Sequence, residues 1–513
     1  MLFEEIFLEK ADLQKFQMFR VLKSAGTNSF TINDISEQLH LSYQQTYNTF
    51  QDLLQDMQTM NPQLDSTLNR HELLSQHTFK TSLERYRLFL LEQSLVFQFI
   101  DYLVQEAAPS VSEFCEQHFV SKSTLLRKSA ALKRFMLQYS LRFSYTDLKI
   151  VGDECNIRYF LFIVYWIGFH GMRWPLHHFS ESSLQQSLTT VNTPANDTIL
   201  TLQKRLLLGI MRVRITNGYL IHNNNLFKIL TAHNPSFEQL SLPTELFNYL
   251  SARNRQRETE FFFFAQFSLI TSATTTQQRA HQLTAYLTEQ KSPLWQLTVE
   301  LLGNLSTTYK TKLTVTNEPT LTYNILRLLM TTTALQGNYP KVIDFYQPDL
   351  TSYTQTQLYQ YILAFLSRTT VTQNAAQLYH HREQLATYLC YLLQPKLHHF
   401  EDHQMVRIWL VAENNDRLTD ELQRFLKFLK IAQVMQPPAQ PTDADLILST
   451  IDTQAPLIQQ MATTGIPILH WNLEAHDTNF FSYIPRSKHF IWLNKQLQDP
   501  TKPLRSFARR LFL

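Results

Sequence analysis

Residues 110–128 read Ser-Val-Ser-Glu-Phe-Cys-Glu-Gln-His-Phe-Val-Ser-Lys-Ser-Thr-Leu-Leu-Arg-Lys, and this stretch decides the fold. Ser110 is placed to cap a short helix, since a serine hydroxyl accepts from a backbone N–H that the first helical turn leaves unpaired. Phe119-Val120 make a turn, and Ser121 caps a second, longer helix. Two short helices joined by a turn of a few residues form a helix-turn-helix. Downstream, residues 142–151 (Arg-Phe-Ser-Tyr-Thr-Asp-Leu-Lys-Ile-Val) read as strand–turn–strand, which suits a wing.

Upstream, the same layout appears once more. Thr31 is an N-cap with Asp34 at the third helical position, a variant of the capping box. Ile32, Ile35 and Leu39 give a short helix its inner face, His40-Leu41 make the turn, and Ser42 caps a helix carrying Tyr43, Thr46, Tyr47, Phe50 and Leu53-Leu54. Aligning Ser42 with Ser121 sets His40-Leu41 opposite Phe119-Val120. This duplication is the strongest organisational signal in the chain.

The copies differ in charge. Lys122, Arg127, Lys128, Lys133 and Arg134 fall on or just beyond the second copy's recognition helix, and Arg142 begins its wing. A helix fits the major groove of duplex DNA, where early side chains meet base edges and cations neutralise phosphates. Ser121, Lys122, Ser123 and Thr124 are the candidates for base edges and the first phosphate; Arg127, Lys128 and Arg134 are candidates for the backbone. The first copy offers Tyr43, Gln44, Gln45 and Asn48 but no Lys or Arg. Gln and Asn can read adenine yet release no counterions, so a smaller share of affinity is expected there.

The remainder is expected to be mainly helical up to Glu401. Breaks fall near residues 192–196, 233–236, 292–293 and 347–352, and a split near Pro293 yields two helical bundles of ordinary domain size. Beyond, β-like runs at 405–412, 446–451 and 466–471 alternate with helical stretches at 418–429 and 455–463, the pattern of a small α/β domain with parallel pairing. The expected boundaries are 1–80 and 81–172 for the winged helix-turn-helix domains, 173–291 and 292–403 for the helical bundles, and 404–513 for the α/β domain.

Composition narrows the function. The chain has 513 residues, 44% hydrophobic and 17% charged, with a formal net charge of +3. Only 9 glycines occur, and neither G-x-G-x-x-G nor G-x-x-x-x-G-K-[ST] is present, so nucleotide chemistry by those two phosphate-cradling loops is excluded. Cys115, Cys155 and Cys390 lie far apart without zinc spacing and are expected as buried thiols of a reducing compartment. The longest apolar runs, 159–169 and 261–270, fall short of the roughly 20 residues a membrane span needs and are expected to be core helices. The N-terminus lacks the pattern of a signal peptide, which points to the cytoplasm. No cofactor is implied, and no H-E-x-x-H or G-x-S-x-G is present, so a non-enzyme is expected.

Ser121-Lys122-Ser123-Thr124-Leu125, then residues 147–154 (Asp-Leu-Lys-Ile-Val-Gly-Asp-Glu), then Ile157-Arg158-Tyr159-Phe160, resemble the Mga/AtxA-like family of PRD-containing virulence transcriptional regulators of Gram-positive bacteria. The motif covers about 110–169; the layout agrees along the chain. The resemblance implies two winged helix-turn-helix domains, two helical PRD-like bundles and a small C-terminal α/β domain resembling enzyme IIB. It implies a homodimeric DNA-binding activator tuned by phosphotransferase-system phosphocarrier proteins, with His222, His380 and His381 as phosphohistidine candidates and His398 and His399 behind them. Residues 412–417 (Ala-Glu-Asn-Asn-Asp-Arg) lack the phosphocysteine that enzyme IIB proteins carry after their first strand, which favours association or sensing there.

Two other functions remain open. One is a PRD-type RNA-binding antiterminator, disfavoured by a helical N-terminus. The other is a metal-binding structural protein using His399, His403 and the carboxylates Glu401 and Asp402 between them.

Overall fold

The computed structural model describes residues 3–24, 30–62, 79–106, 108–144, 148–188, 198–222, 225–232, 234–238, 240, 242, 247, 249–268, 286–290, 292–335, 353–354, 356–368, 375–401, 406–412, 432–435, 443–451, 454–463 and 465–470. The chain divides into two compact units, Met1–Pro395 and Lys396–Leu513.

Among the described residues, the regular elements of the first unit are helices and one hairpin. Its first four helices are α1 (Glu4–Phe7), α2 (Lys10–Ser24), α3 (Ile32–Leu39) and α4 (Tyr43–Met60). Next come α5 (Leu83–Gln93), α6 (Leu95–Gln105), α7 (Val111–Gln117), α8 (Lys122–Lys128) and α9 (Ala130–Gln138). Strands β1 (Arg142–Ser144) and β2 (Lys149–Val151) pair antiparallel, Phe143 opposite Ile150, where the wing is expected. A wing for the first helix-turn-helix would fall at 63–78, outside the described residues.

Helix α10 (Glu154–Phe169) follows the hairpin, and all 16 of its residues are buried. From Tyr159 to Phe169 it is apolar around its whole circumference, so it has no solvent face and becomes a core element. It packs against α5, helix Thr198–Thr216 and helix Pro319–Leu335. Phe261, Phe262, Phe264 and Ala265 are likewise buried in helix Ala252–Ser268. That helix packs on Pro319–Leu335, so contacts cross the expected division at 291/292. All three cysteines are buried thiols, and no helix among the described residues is long and apolar enough to cross a membrane.

In the second unit, β3 (Val406–Val411), β4 (Ala432–Val434), β5 (Leu446–Ser449) and β6 (Ile468–His470) form a parallel sheet in the order β4-β3-β5-β6. Helix Pro456–Ala462 connects β5 to β6. Leu446, Ile447, Leu448 and Ser449 are all buried, as expected of an inner parallel strand. The three-residue β4 carries too little pattern to be recognised from sequence. The expected helix at 418–429 and residues 413–417 lie outside the described residues.

Candidate nucleic-acid interface

The second helix-turn-helix is held by local bonds at each corner. Ser110 Oγ accepts from the Glu113 N–H at 3.4 Å. Helix α7 ends where Phe119 turns left-handed (φ +52°), letting its N–H reach the Glu116 carbonyl at 3.2 Å and the Val120 N–H reach the Cys115 carbonyl at 3.0 Å. These bonds satisfy carbonyls that a helix end otherwise leaves open. Ser121 Oγ then accepts from the Thr124 N–H at 3.1 Å and starts α8. Beneath lies one apolar cluster of Phe99, Leu103, Phe114, Cys115, Leu125 and Leu148, with Phe143 of the wing packed on it. Helices and wing therefore move as one body. Gly152 closes the wing because a Cβ there would meet Leu141 Cδ2 at 2.3 Å.

The first copy repeats this construction position for position. His40 is left-handed at the same φ of +52°, its N–H reaches the Glu37 carbonyl at 3.3 Å, and the Leu41 N–H reaches the Ser36 carbonyl at 3.0 Å. Thr31 with Asp34, and Ser42 with Gln45, form complete capping boxes.

The predicted DNA-contacting residues fall on different faces. Ser121, Lys122, Ser123, Arg127 and Arg134 are exposed, and Thr124 is half-buried. Arg142 is exposed at the root of the wing. Lys133 is half-buried on the flank. Lys128 is engaged with another part of the chain. It sits one turn after buried Leu125 on the inward flank, and its ammonium is paired with the Glu9 carboxylate just before α2. The pair links α8 to the N-terminal segment, and Lys128 is half-buried where Lys122, Arg127 and Arg134 are exposed. Ser121 is chiefly a cap; its Oγ also lies 2.8 Å from Ser123 Oγ and 2.9 Å from Thr124 Oγ1.

In the first copy Tyr43, Gln44, Gln45 and Asn48 are all exposed. Gln45 spends its Oε1 on the Ser42 N–H at 3.2 Å, and the Gln44 amide donates to Asn48 Oδ1 at 2.9 Å. These polar groups are partly engaged with one another, and no cation accompanies them.

A second constellation was not foreseen from sequence. Arg158, fully buried in α10, donates to Glu154 Oε1 at 3.0 Å, to Glu258 Oε2 at 2.5 Å and to the Tyr219 carbonyl at 3.1 Å. Arg214 clasps Glu154 through two bonds of 3.0 and 2.7 Å, and the Ile221 N–H donates to Glu258 Oε1 at 2.9 Å. Burial pushes the Glu154 carboxyl up, but the Arg214 hydrogen bond and the charges of Arg158 and Arg214 outweigh it and hold the group below its ordinary value. Two cations against two carboxylates leave the cluster balanced, which is what allows charges to stay in a core. The available signal was a Glu and an Arg four apart, Glu154 and Arg158, immediately before the apolar run 159–169. Asp153 caps the same helix by accepting from the Cys155 N–H at 2.9 Å.

Among the histidine candidates, His222 is exposed and follows Ile221 directly. His380 is exposed and His381 half-buried, their rings 4.8 Å apart and near perpendicular. Burial, then the neighbouring His380, lowers the His381 pKa. Arg382 donates to the Tyr379 carbonyl at 2.9 Å and stacks on that ring, so it is engaged next to His381. His403 and the side chains of His398, His399 and Glu401 lie outside the described residues. Among the described residues no group of three or more His, Cys, Asp or Glu is arranged to hold a metal ion.

Residues 79–165 match the Mga helix-turn-helix domain, from just before α5 into α10. A protein of Streptococcus pneumoniae serotype 4 described as "Putative trans-acting regulator" is 25% identical over 101 residues. That match covers 20% of this chain and 20% of the relative's own length. The resemblance to Mga-like regulators rests on these two findings as well as on the motif.

Proposed function

We propose that this chain is a DNA-binding transcriptional regulator whose principal reading head is the winged helix-turn-helix built from α7, α8, α9 and the β1–β2 hairpin. One observation carries the reading. Lys122, Arg127 and Arg134 are all exposed on α8 and α9, and Arg142 is exposed at the start of β1, inside the segment matching the Mga helix-turn-helix domain. Phosphate neutralisation by such exposed cations supplies affinity, and side chains early in α8 meet base edges. Ser123 and Lys122 are the best placed for that, since both are exposed early in α8, whereas Thr124 is half-buried. The first copy, with no Lys or Arg on its second helix, adds contacts of lower affinity.

The expected test is a mobility-shift assay against duplex DNA from the region upstream of the chain's own gene, repeated over a range of salt. Binding should weaken steeply with salt, and Arg127→Ala with Arg134→Ala should flatten that dependence. An unchanged slope and affinity would end the proposal, and preference for hairpin RNA would favour an antiterminator.

The finer reading is a homodimeric cytoplasmic activator whose helical region is PRD-like and whose parallel sheet is enzyme IIB-like. Phosphotransferase phosphocarriers would modify His222, His380 or His381. In support, His222 follows a segment, Tyr219–Ile221, that is hydrogen-bonded to Arg158 and Glu258. Arg158 lies on α10, the helix that closes the reading head, so charge added at His222 acts close to it. Phosphate transfer from a phosphorylated carrier to the wild-type chain, lost in the His222, His380 and His381 triple alanine variant, is the expected outcome.

A further inference from the structure

Phe119 is 96% exposed and sits at φ +52°. A phenylalanine contributes to a fold by burying its ring, and this ring is in solvent. The left-handed backbone is also unfavourable for a residue with a Cβ, and glycine or asparagine would adopt it more readily. On both counts the fold alone would do better with another residue at this position. The neighbouring side chains are accounted for. Val120 packs on the apolar cluster, and the His118 ring lies 4.2 Å from that of Phe114.

The place is informative. Phe119 stands two residues before the Ser121 cap, at the end of α8 where Lys122 and Ser123 are exposed. A duplex that engages Lys122 and Ser123 brings its groove wall to this ring. The wall offers apolar surface in its deoxyribose rings and thymine methyl groups, and phenylalanine is suited to the latter. The first copy places a second ring, His40, exposed at the same turn position with the same φ.

We infer that Phe119 is a DNA-contacting residue of the reading head, its ring packing on the sugar and thymine-methyl surface beside the N-terminal end of α8. This rests on the DNA-binding reading and extends it with an apolar contact beside the exposed cations.

The test uses the full chain, a fluorescein-labelled A·T-rich duplex of about three helical turns, and anisotropy titrations over a range of salt. Phe119→Gly should leave the melting temperature unchanged or higher, because the backbone is relieved. Affinity should fall about tenfold with an unchanged salt slope, because no phosphate charge is involved. Phe119→Trp should retain most of the affinity. If Phe119→Gly binds within about twofold of wild type while Arg127→Ala with Arg134→Ala still weakens binding, the ring makes no DNA contact and this inference is overturned alone. If the arginine pair also has no effect, the DNA-binding reading has failed first. Intact affinity with lost transcriptional output would assign the ring to a protein partner and overturn the inference. So would a lowered melting temperature for Phe119→Gly, which would give the ring a structural role.

Discussion

The second helix of the first helix-turn-helix runs unbroken from Tyr43 to Met60, whereas its counterpart in the second is stepped at Ser129 into α8 and α9. The residue opposite Ser129 is Phe50, and both are 1% exposed. Phe50 fills a core site. Ser129 instead donates its hydroxyl to the Leu125 carbonyl at 2.8 Å, a back-bond that bends helices. The outer faces diverge as well. The first copy shows amides bonded to each other or to a cap, and the second shows Lys122, Arg127 and Arg134. Caps and left-handed turns, which are common to both, set the geometry. Charge, which is not, sets which copy can hold a polyanion.

The largest separation is expected in the core. Leu125 and Thr46 occupy equivalent positions and are both buried. Leu125→Ala should cost about 3 kcal/mol through lost burial and the cavity left behind. Thr46→Ala should cost about 1 kcal/mol, the hydrogen bond its hydroxyl makes to the Ser42 carbonyl at 3.0 Å. Urea denaturation of the full chain measures both, and equal losses would mean that the two cores carry similar loads. Next comes DNA affinity. Arg127→Ala with Arg134→Ala should weaken binding about a hundredfold and reduce the salt slope by about two. Gln44→Ala with Asn48→Ala should change it by about threefold or less. If the amide pair costs as much as the arginine pair, the ranking of the two copies is wrong.

What could be read from sequence follows the range of the forces involved. Thr31, Ser42, Ser110 and Ser121 announce their helices because a cap acts within three residues, and Arg142–Val151 announces its hairpin by strand pattern. Lys128 shows where this stops. On the linear chain it is one more cation of the recognition helix; only packing reveals that it faces Glu9, 119 positions away. Arg158 and Glu258 are 100 positions apart, and nothing local marks Glu258 as buried. The cations were thus legible as a list of charges, and which of them are exposed came from the fold. The exposure of Phe119 belongs to the same class, since the left-handed turn, and not residue type, decides where the ring points.

Smaller than the arginine effect is capping. Ser121→Ala and Ser42→Ala should each cost about 1 kcal/mol. The two losses should be similar. Beyond the cap bond, Ser42→Ala leaves the Ser42 N–H bond to Gln45 in place and removes only a hydroxyl contact to it, while Ser121→Ala removes hydroxyl contacts to Ser123 and Thr124. Thermal melts of the two single variants decide this.

The smallest contrast is in pH, where the ion pairs tying each copy to its surroundings carry opposite signs. Next to the second copy, Glu154 has a folded pKa below its unfolded value. Its contribution is therefore complete above about pH 4.3 and is lost as pH falls through the lower folded value. In the first copy Lys15 bonds Asp56 at 2.6 Å. Burial lowers its pKa, but the hydrogen bonds and charges of Asp56 and Asp12 outweigh that and raise it. Its contribution is complete below about pH 10.4 and is lost as pH rises through the higher folded value. Urea midpoints stepped across both limbs test the pair. Glu154→Gln should lower the plateau and flatten the acid limb alone, and Lys15→Met should flatten the alkaline limb alone. Should either variant flatten both limbs, the two ties are coupled, and the copies respond to pH as one cooperative body instead of two separately anchored ones.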